Sequence, residues 1–409
     1  MYAVISPADW GLPLCPEKLS QLRAMGLDPD DLEQRAHECT YQWLLGQYDE
    51  EAGAFHGYYS AIDDSFAPPQ NVHLIAPWQL LAAYDRYGDT ELLSKAQRAA
   101  DWLEQRLVES HPMSLVCGGV RDNLKPAELW VKYTADYVML NLGLWRRSRE
   151  ARFQRRALQS ARFIVQAEHH GFATHNDEYW GRWETAGWQS FGRVVEAFLD
   201  LHEAMQNEEY LRHAVTWGEH GLSLLQPDGC IYLIRGEYYN SDLAADEIRA
   251  LAYLYEATGR SEFLYGARAF ADWHVRTQRP DGAWILNVDR HGSVVSDYVG
   301  PGDPPNIAIA MLRLHKLTGE IGYVVSALRG IHYTLTRQVL PGSKHLYSDN
   351  PRTHWGLWSW DPHYDYTMSS DQSTHLVRGI WFVLDYLGAA DPSVWAALEE
   401  TGLGLPYPG

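Results

Sequence analysis

The sequence is short of cysteine, of positive charge and of long apolar runs, and each shortage removes a class of protein. Its 409 residues contain 4 cysteines. These are Cys15, Cys39, Cys117 and Cys230, widely scattered and without a CxxC pair. A zinc site or a redox dithiol is therefore not expected, and a reduced cytoplasm is the simplest compartment. Lys and Arg number 34 against 53 Asp and Glu, a formal charge of −19. That balance argues against nucleic acid and against an anionic membrane surface as partners. A local Arg/His cluster could still take an anionic substrate. No apolar run is long enough to cross a bilayer. The opening Met1-Tyr2-Ala3-Val4-Ile5-Ser6-Pro7 lacks the basic segment and apolar run of a signal peptide. HExxH, GxSxG and phosphate-loop patterns are absent as well, so no metal and no cofactor is expected.

What is abundant is aromatic and helical. The chain is 46% hydrophobic and 13% aromatic, ample for a large core. Residues 1–27 read as irregular, punctuated by Pro7, Pro13 and Pro16. A first helix is expected over Asp30–Tyr48. Helical pairs then follow at a period of roughly 55–65 residues, the logic of a repeat architecture. They are His73–Tyr87 with Thr90–Glu109, Thr134–Arg147 with Glu150–His169, and Gln189–Met205 with Asn207–Leu225. Next come Asp242–Thr258 with Ser261–Gln278, and Pro305–Thr318 with Glu320–Gln338. Last is Asp371–Leu387 with a shorter Pro392–Glu400. Gly88, Gly259 and Gly319 supply left-handed C-caps between partners. The first helix of each pair is the more apolar and the second the more charged. First helices inside and second helices outside make a closed (α/α)6 toroid of six inner and six outer helices. The Asp30–Tyr48 helix would complete the outer ring. No Gly/Ser linker divides residues 1–409, so one domain is expected.

In such a ring the N-termini of the inner helices and the long loops face one mouth. The repeat puts there Asn71 and His73, Thr134 and Asp136, Trp188 and Gln189, Asp242 and Asp246, Asp303 and Asn306, and Asp371, Gln372 and His375. Helix N-termini favour capping Asp and Asn for purely structural reasons. Asp136 stands out because Thr134 is the better cap, which leaves a carboxylate over in the first turn. Trp130, Tyr133 and Tyr137 would desolvate it and raise its pKa, as a general acid requires. Asp242 and Asp246 are the next acidic candidates. Two loops carry the aromatic signal, one over residues 175–188 and one over 354–365. Trp180, Trp183, Trp188, Trp355, Trp358 and Trp360 would offer faces to a sugar ring. His175, Asn176, Tyr179, Glu184, Tyr239 and Asp371 would take its hydroxyls. The bland alternative is that these aromatics pack loop onto barrel. His73, Arg121, His375 and Arg378 could meet a carboxylate.

Thr134-Ala135-Asp136-Tyr137-Val138-Met139-Leu140-Asn141-Leu142 resembles the Asp-x-x-Met-Asn-Leu helix start of unsaturated glucuronyl hydrolases and the related unsaturated rhamnogalacturonyl hydrolases. The stretch from Ala245 to Gly259 is similar to their repeats. The resemblance implies an (α/α)6 barrel acting on the unsaturated uronic acid that polysaccharide lyases leave at the non-reducing end. It also implies that Asp136 protonates the 4,5 double bond, after which water adds and the hemiketal opens. Those glucuronyl hydrolases carry a second Asp in a His-Asp-x-Gly-Phe motif one repeat earlier. This chain reads Gln70-Asn71-Val72-His73-Leu74-Ile75 there, with Asp63 and Asp64 nearby.

The expectation is thus a cytoplasmic glycoside hydrolase of polysaccharide degradation with an oligosaccharide substrate. Four other readings remain. A uronate lyase would use His175, Asn176, Tyr179 and Arg182. A 2-epimerase would pair His375 with His354 or His363. A non-catalytic carbohydrate-binding toroid would keep the Trp clusters without a titrating carboxylate. A terpene cyclase would match the loop Gln278–Trp284 but lacks the acidic DxDD run.

Overall fold

Each inner helix is buried on nearly every side, which is what a helix apolar all round requires. The computed structural model describes residues 16–70, 74–111, 113–122, 127–178, 180–185, 190–234, 237–362 and 365–406. Its helices are α1 (Pro16–Ala24), α2 (Pro29–Glu38), α3 (Ala76–Tyr87), α4 (Thr90–Arg106), α5 (Val131–Ser148), α6 (Ala151–His169) and α7 (Phe191–Met205). They continue as α8 (Glu208–Ser223), α9 (Ser241–Thr258), α10 (Ser261–Thr277), α11 (Asp303–Thr318), α12 (Ile321–Leu335), α13 (Ser370–Ala389) and α14 (Pro392–Glu400). Helices α3, α5, α7, α9, α11 and α13 pack in that order into the inner ring, and α13 returns to α3. In α7 every residue from Phe191 to Leu201 is buried. Outer α4 instead buries a stripe of Leu92, Lys95, Ala96, Ala99, Ala100 and Leu103, at helical spacing. The fold is the expected (α/α)6 toroid.

The sixth outer position is filled from the other end of the chain. α2 runs on through π-helical turns at Cys39–Leu44 and packs on α13, the turns also reaching α3. A buried side-chain chain fastens the closure. Gln79 Nε2 donates to Thr40 Oγ1 at 2.8 Å, and Thr374 Oγ1 donates to Gln79 Oε1 at 3.1 Å. The expectation of an irregular segment over residues 1–27 is corrected at α1. Pro16, read as a break, opens that helix at its first position, where the missing N–H costs nothing.

Short antiparallel strands line the end where inner helices begin, and several lead straight into them. Glu128–Trp130 precedes α5, Tyr238–Asn240 precedes α9 and Thr367–Met368 precedes α13. This feature corrects a second expectation. Thr134 is not the cap of α5. The helix starts three residues earlier, after extended Trp130. The Thr134 hydroxyl instead donates to the Trp130 carbonyl (2.7 Å) and accepts from the Val120 amide (3.0 Å). Asp136 therefore sits in the second turn, not the first. The Gln278–Trp284 loop is a packing device. Gln278 Nε2 donates to the Gly282 and Ser326 carbonyls, and the Trp284 indole donates to the His274 carbonyl.

Candidate active site

Helices α5, α9 and α13 enter the ring in the same register, and this aligns their side chains at the mouth. The second residues of the three are Lys132, Asp242 and Asp371; the sixth are Asp136, Asp246 and His375. All but Asp246 line a cavity of about 410 Å³ over the inner-helix N-termini. α7 adds Arg193, α11 adds Asp303, and the loops add Tyr58 and Trp360.

Ion pairs order this cluster. Lys132 Nζ lies 2.9 Å from Asp242 Oδ2. Arg193 Nε lies 2.7 Å from Asp246 Oδ2 and 3.5 Å from Asp136 Oδ1. Below the cavity floor, Arg249 joins Asp246 (2.6 Å), Glu196 (2.8 Å) and the Asn306 side-chain oxygen (2.7 Å). The Ser241 hydroxyl donates to Asp303. Asp371 accepts from the Ser369 hydroxyl and from Gln372 Nε2.

These surroundings drive the carboxylates apart in proton affinity. Burial raises the Asp136 pKa to about 6, against the opposing pull of Arg193 and Lys132. The neighbouring charges of Asp246 and Asp242 add to the rise. Burial also pushes Asp242 upward, but Lys132 and Arg193 together overcome it and hold the acid below its usual range. In Asp246 the two arginines likewise overcome burial. Burial, then the Asp242 charge, lift Asp303 well above the ordinary carboxylate range, and Asp371 is raised mainly by burial. His375 is driven well below 6.5 by burial and by Arg378, so it is a neutral imidazole.

The cavity thus gathers Asp136, Asp242, Trp360, Asp371 and His375 from the sequence-based candidates. Asp246 lies beneath it, an ion-pair partner and not a wall residue. Arg378 sits one turn deeper than His375, its guanidinium 5.4 Å from the centre of the Trp78 ring.

The remaining candidates in the described residues do not line the cavity. Arg121 is held by Glu109 and by Glu178 at 2.8 Å. His175 stacks on Trp130 with ring centres 4.9 Å apart, and Asn176 is buried within the same four-stranded sheet. Glu184 pairs with Arg182 at 2.7 Å. Trp183 packs between Phe163 and His170, and Trp180 is exposed and does not line the cavity. Trp358 is wedged against Tyr347 and Tyr366, and Trp355 packs against the core. The Tyr239 hydroxyl hydrogen-bonds His274 at 2.9 Å inside the core. For Trp183, Trp355 and Trp358, then, the structure shows loop packing. Asp64 is also accounted for, bound by the Tyr59 hydroxyl (2.6 Å) and Arg352 (3.0 Å) outside the cavity. His73, Tyr179, Trp188 and His363 lie outside the described residues.

Sequence reasoning passed over Lys132 and Arg193 as site residues, whereas Asp303, placed at the mouth by the repeat, does line the cavity. The signal for Lys132 is its register match with Asp242 and Asp371. For Arg193 it is a full charge inside a helix otherwise apolar at its start, a placement that requires a buried partner. Among the described residues no group of three His, Cys, Asp or Glu side chains could hold a metal ion. No helix in them is long and apolar enough to cross a membrane.

The architecture is shared with solved sugar-processing enzymes. A D-mannose isomerase aligns over 87% of this chain and 97% of its own, with a TM-score of 0.69 and 13% identity. The cellobiose 2-epimerase of Bacillus thermoamylovorans aligns over 88% and 100%, with a TM-score of 0.71 and 11% identity. An unsaturated glucuronyl hydrolase specific for heparin aligns over 92% and 99%, with a TM-score of 0.60 and 14% identity. At such identities the likeness defines the fold class, the (α/α)6 toroid. No family model and no curated protein matches the sequence.

Proposed function

We propose that the protein is a carbohydrate-active hydrolase in which Asp136 is the proton donor, and that its substrates are oligosaccharides ending in an unsaturated uronyl residue. The observation that carries this is the state of Asp136. It is a cavity-lining carboxylic acid that burial keeps protonated to about pH 6, with a guanidinium 3.5 Å away to receive the negative charge left behind. An enol ether needs one such acid. The proton goes to C4, the ring oxygen stabilises the cation at C5, water adds there and returns a proton to the Asp136 carboxylate, and the hemiketal opens to a C1 hemiacetal that collapses with release of the remaining saccharide. Lys132 and Arg193 supply the positive charge on this side of the cavity. Its volume suits one or two sugar rings. The heparin-specific relative in fold acts on an unsaturated glucuronyl substrate, which agrees with this chemistry.

A neutral terminal sugar is the second reading, and the Asp136/Asp242 pair favours it. One carboxyl raised and its neighbour lowered is the pattern of a general acid beside an anionic base or nucleophile. The lyase reading loses support. His175 and Asn176, which a lyase would use, stand outside the cavity wall. Of the two epimerase pairings, that of His375 with His354 is disfavoured because His354 Nε2 bonds the Ser348 carbonyl and does not line the cavity, while His363 lies outside the described residues.

The test is turnover of lyase-generated unsaturated oligosaccharides beside their intact and neutral counterparts. Loss of the ultraviolet absorbance of the conjugated double bond supports the first reading. Release of reducing sugar from neutral substrates alone moves the assignment to the second. A gain of absorbance on intact uronates contradicts both.

A further inference from the structure

Arg193 is shared unequally. Its Nε lies 2.7 Å from Asp246 and 3.5 Å from Asp136, and all three side chains are buried. Asp246 is itself fixed from the far side, since Arg249 donates to its other oxygen at 2.6 Å. Arg249 is anchored in turn by Glu196 and Asn306. The Arg193 guanidinium also lies over the Trp78 ring, 5.0 Å from its centre. The cation nearest to the candidate acid is therefore clamped by a partner that does not line the cavity.

We propose that Asp246 is a positioning residue: it draws Arg193 off Asp136, so that the cavity acid keeps its proton instead of collapsing into a closed ion pair. This rests on the reading of Asp136 as proton donor. A guanidinium in full contact with a buried carboxylate favours the ionised form strongly. Held back by a competing carboxylate, it stabilises that form less before the proton leaves, yet remains close enough to respond once charge develops. The other charged or titratable groups facing Asp136 are consistent with this. α5 itself contributes Lys132, which is committed to Asp242, and Tyr133. α9 contributes Asp242 and Asp246, and α7 contributes Arg193. From α3 the group beside Arg193 is the Trp78 ring, not a charge. α13 contributes His375, which is neutral.

Asp246→Asn removes a negative neighbour and frees Arg193, and both effects lower the proton affinity of Asp136. Carboxyl-carbon NMR titration of the full chain, labelled at aspartate, reads this directly. The Asp136 midpoint should fall by about one pH unit in Asp246→Asn, a tenfold change in affinity. Arg193→Met should raise it by a similar amount and carries the test by itself if Asp246→Asn does not fold. A midpoint unchanged or raised in Asp246→Asn, or unchanged in Arg193→Met, overturns the proposal. The pH dependence of kcat/KM separates this failure from failure of the functional reading. If the midpoint falls but the alkaline limb stays where it was, the positioning role stands and Asp136 is not the proton donor. If the limb follows the Asp136 midpoint yet neither variant moves it, Asp136 is the donor and Asp246 does not position it.

Discussion

Asp136 is a residue whose chemistry and stability pull in opposite directions. Its folded-state pKa is raised above the ordinary value of 3.8, to about 6. A raised acid favours the folded state fully below its unfolded pKa, and that advantage is lost as pH climbs through the folded value. The window is therefore about pH 4 to 6, and above it the ionised form costs the fold on the order of 3 kcal/mol. Asp136→Asn should then melt higher than wild type at pH 8 and show no such gain at pH 4, as calorimetry would record. A lower melting point at pH 8 would mean that Arg193 needs both carboxylates. For the wild type, activity carried by the protonated acid should be present below about pH 6 and fall as pH rises through it. At this scale legibility was uneven. Asp136 and Asp371 could be picked out because helix starts recur in the sequence. Trp183, Trp355 and Trp358 could not be placed, because an aromatic that packs inward and one that meets a sugar look alike in one dimension.

Helix-to-helix turns show how a repeat tolerates imperfect residues. Gly88, Gly259 and Gly319 close their helices at φ 72°, 69° and 74°. The same left-handed position is held by Arg149 at φ 61° and Gln206 at φ 52°. A side chain there costs about 1 kcal/mol, partly offset by the lower entropy of its unfolded chain. Gln206→Gly should raise stability by about 0.5 kcal/mol in urea titration. Close approach of inner helices works the other way. A Cβ on Gly192 would sit 2.4 Å from the Asp246 backbone carbon. Gly192→Ala should push α7 from α9, lower stability by about 2 kcal/mol and reduce activity by displacing Arg193. Unchanged turnover in that variant would show that the site does not depend on this contact. The elements themselves were readable because apolarity all round and a single apolar stripe are different patterns. The start of α5 was not, because extended Trp130 caps it without a side-chain hydrogen bond and leaves no capping signature.

The whole molecule depends on joining its two ends. The sixth outer position comes from α2, and the Thr40–Gln79–Thr374 chain ties it to α3 and α13 without exposure to water. Gln79→Ala leaves buried hydroxyl groups without this partner and should cost about 2 kcal/mol. Because α13 and the residues leading into α3 also line the cavity, the loss should be cooperative with the site, and hydrogen exchange at both helices reports it. The toroid was legible as a whole because five repeats announce the sixth. The cavity's electrostatics were not, since the pairing of Arg193 with Asp246 joins helices more than fifty residues apart in sequence. The central claim is that one buried acid at the mouth of this ring does the chemistry. It is tested most directly by comparing kcat/KM of wild type and Asp136→Asn on the substrate that the oligosaccharide panel identifies. The account predicts a loss of about a thousandfold or more with the fold intact. Activity within tenfold of wild type would contradict it.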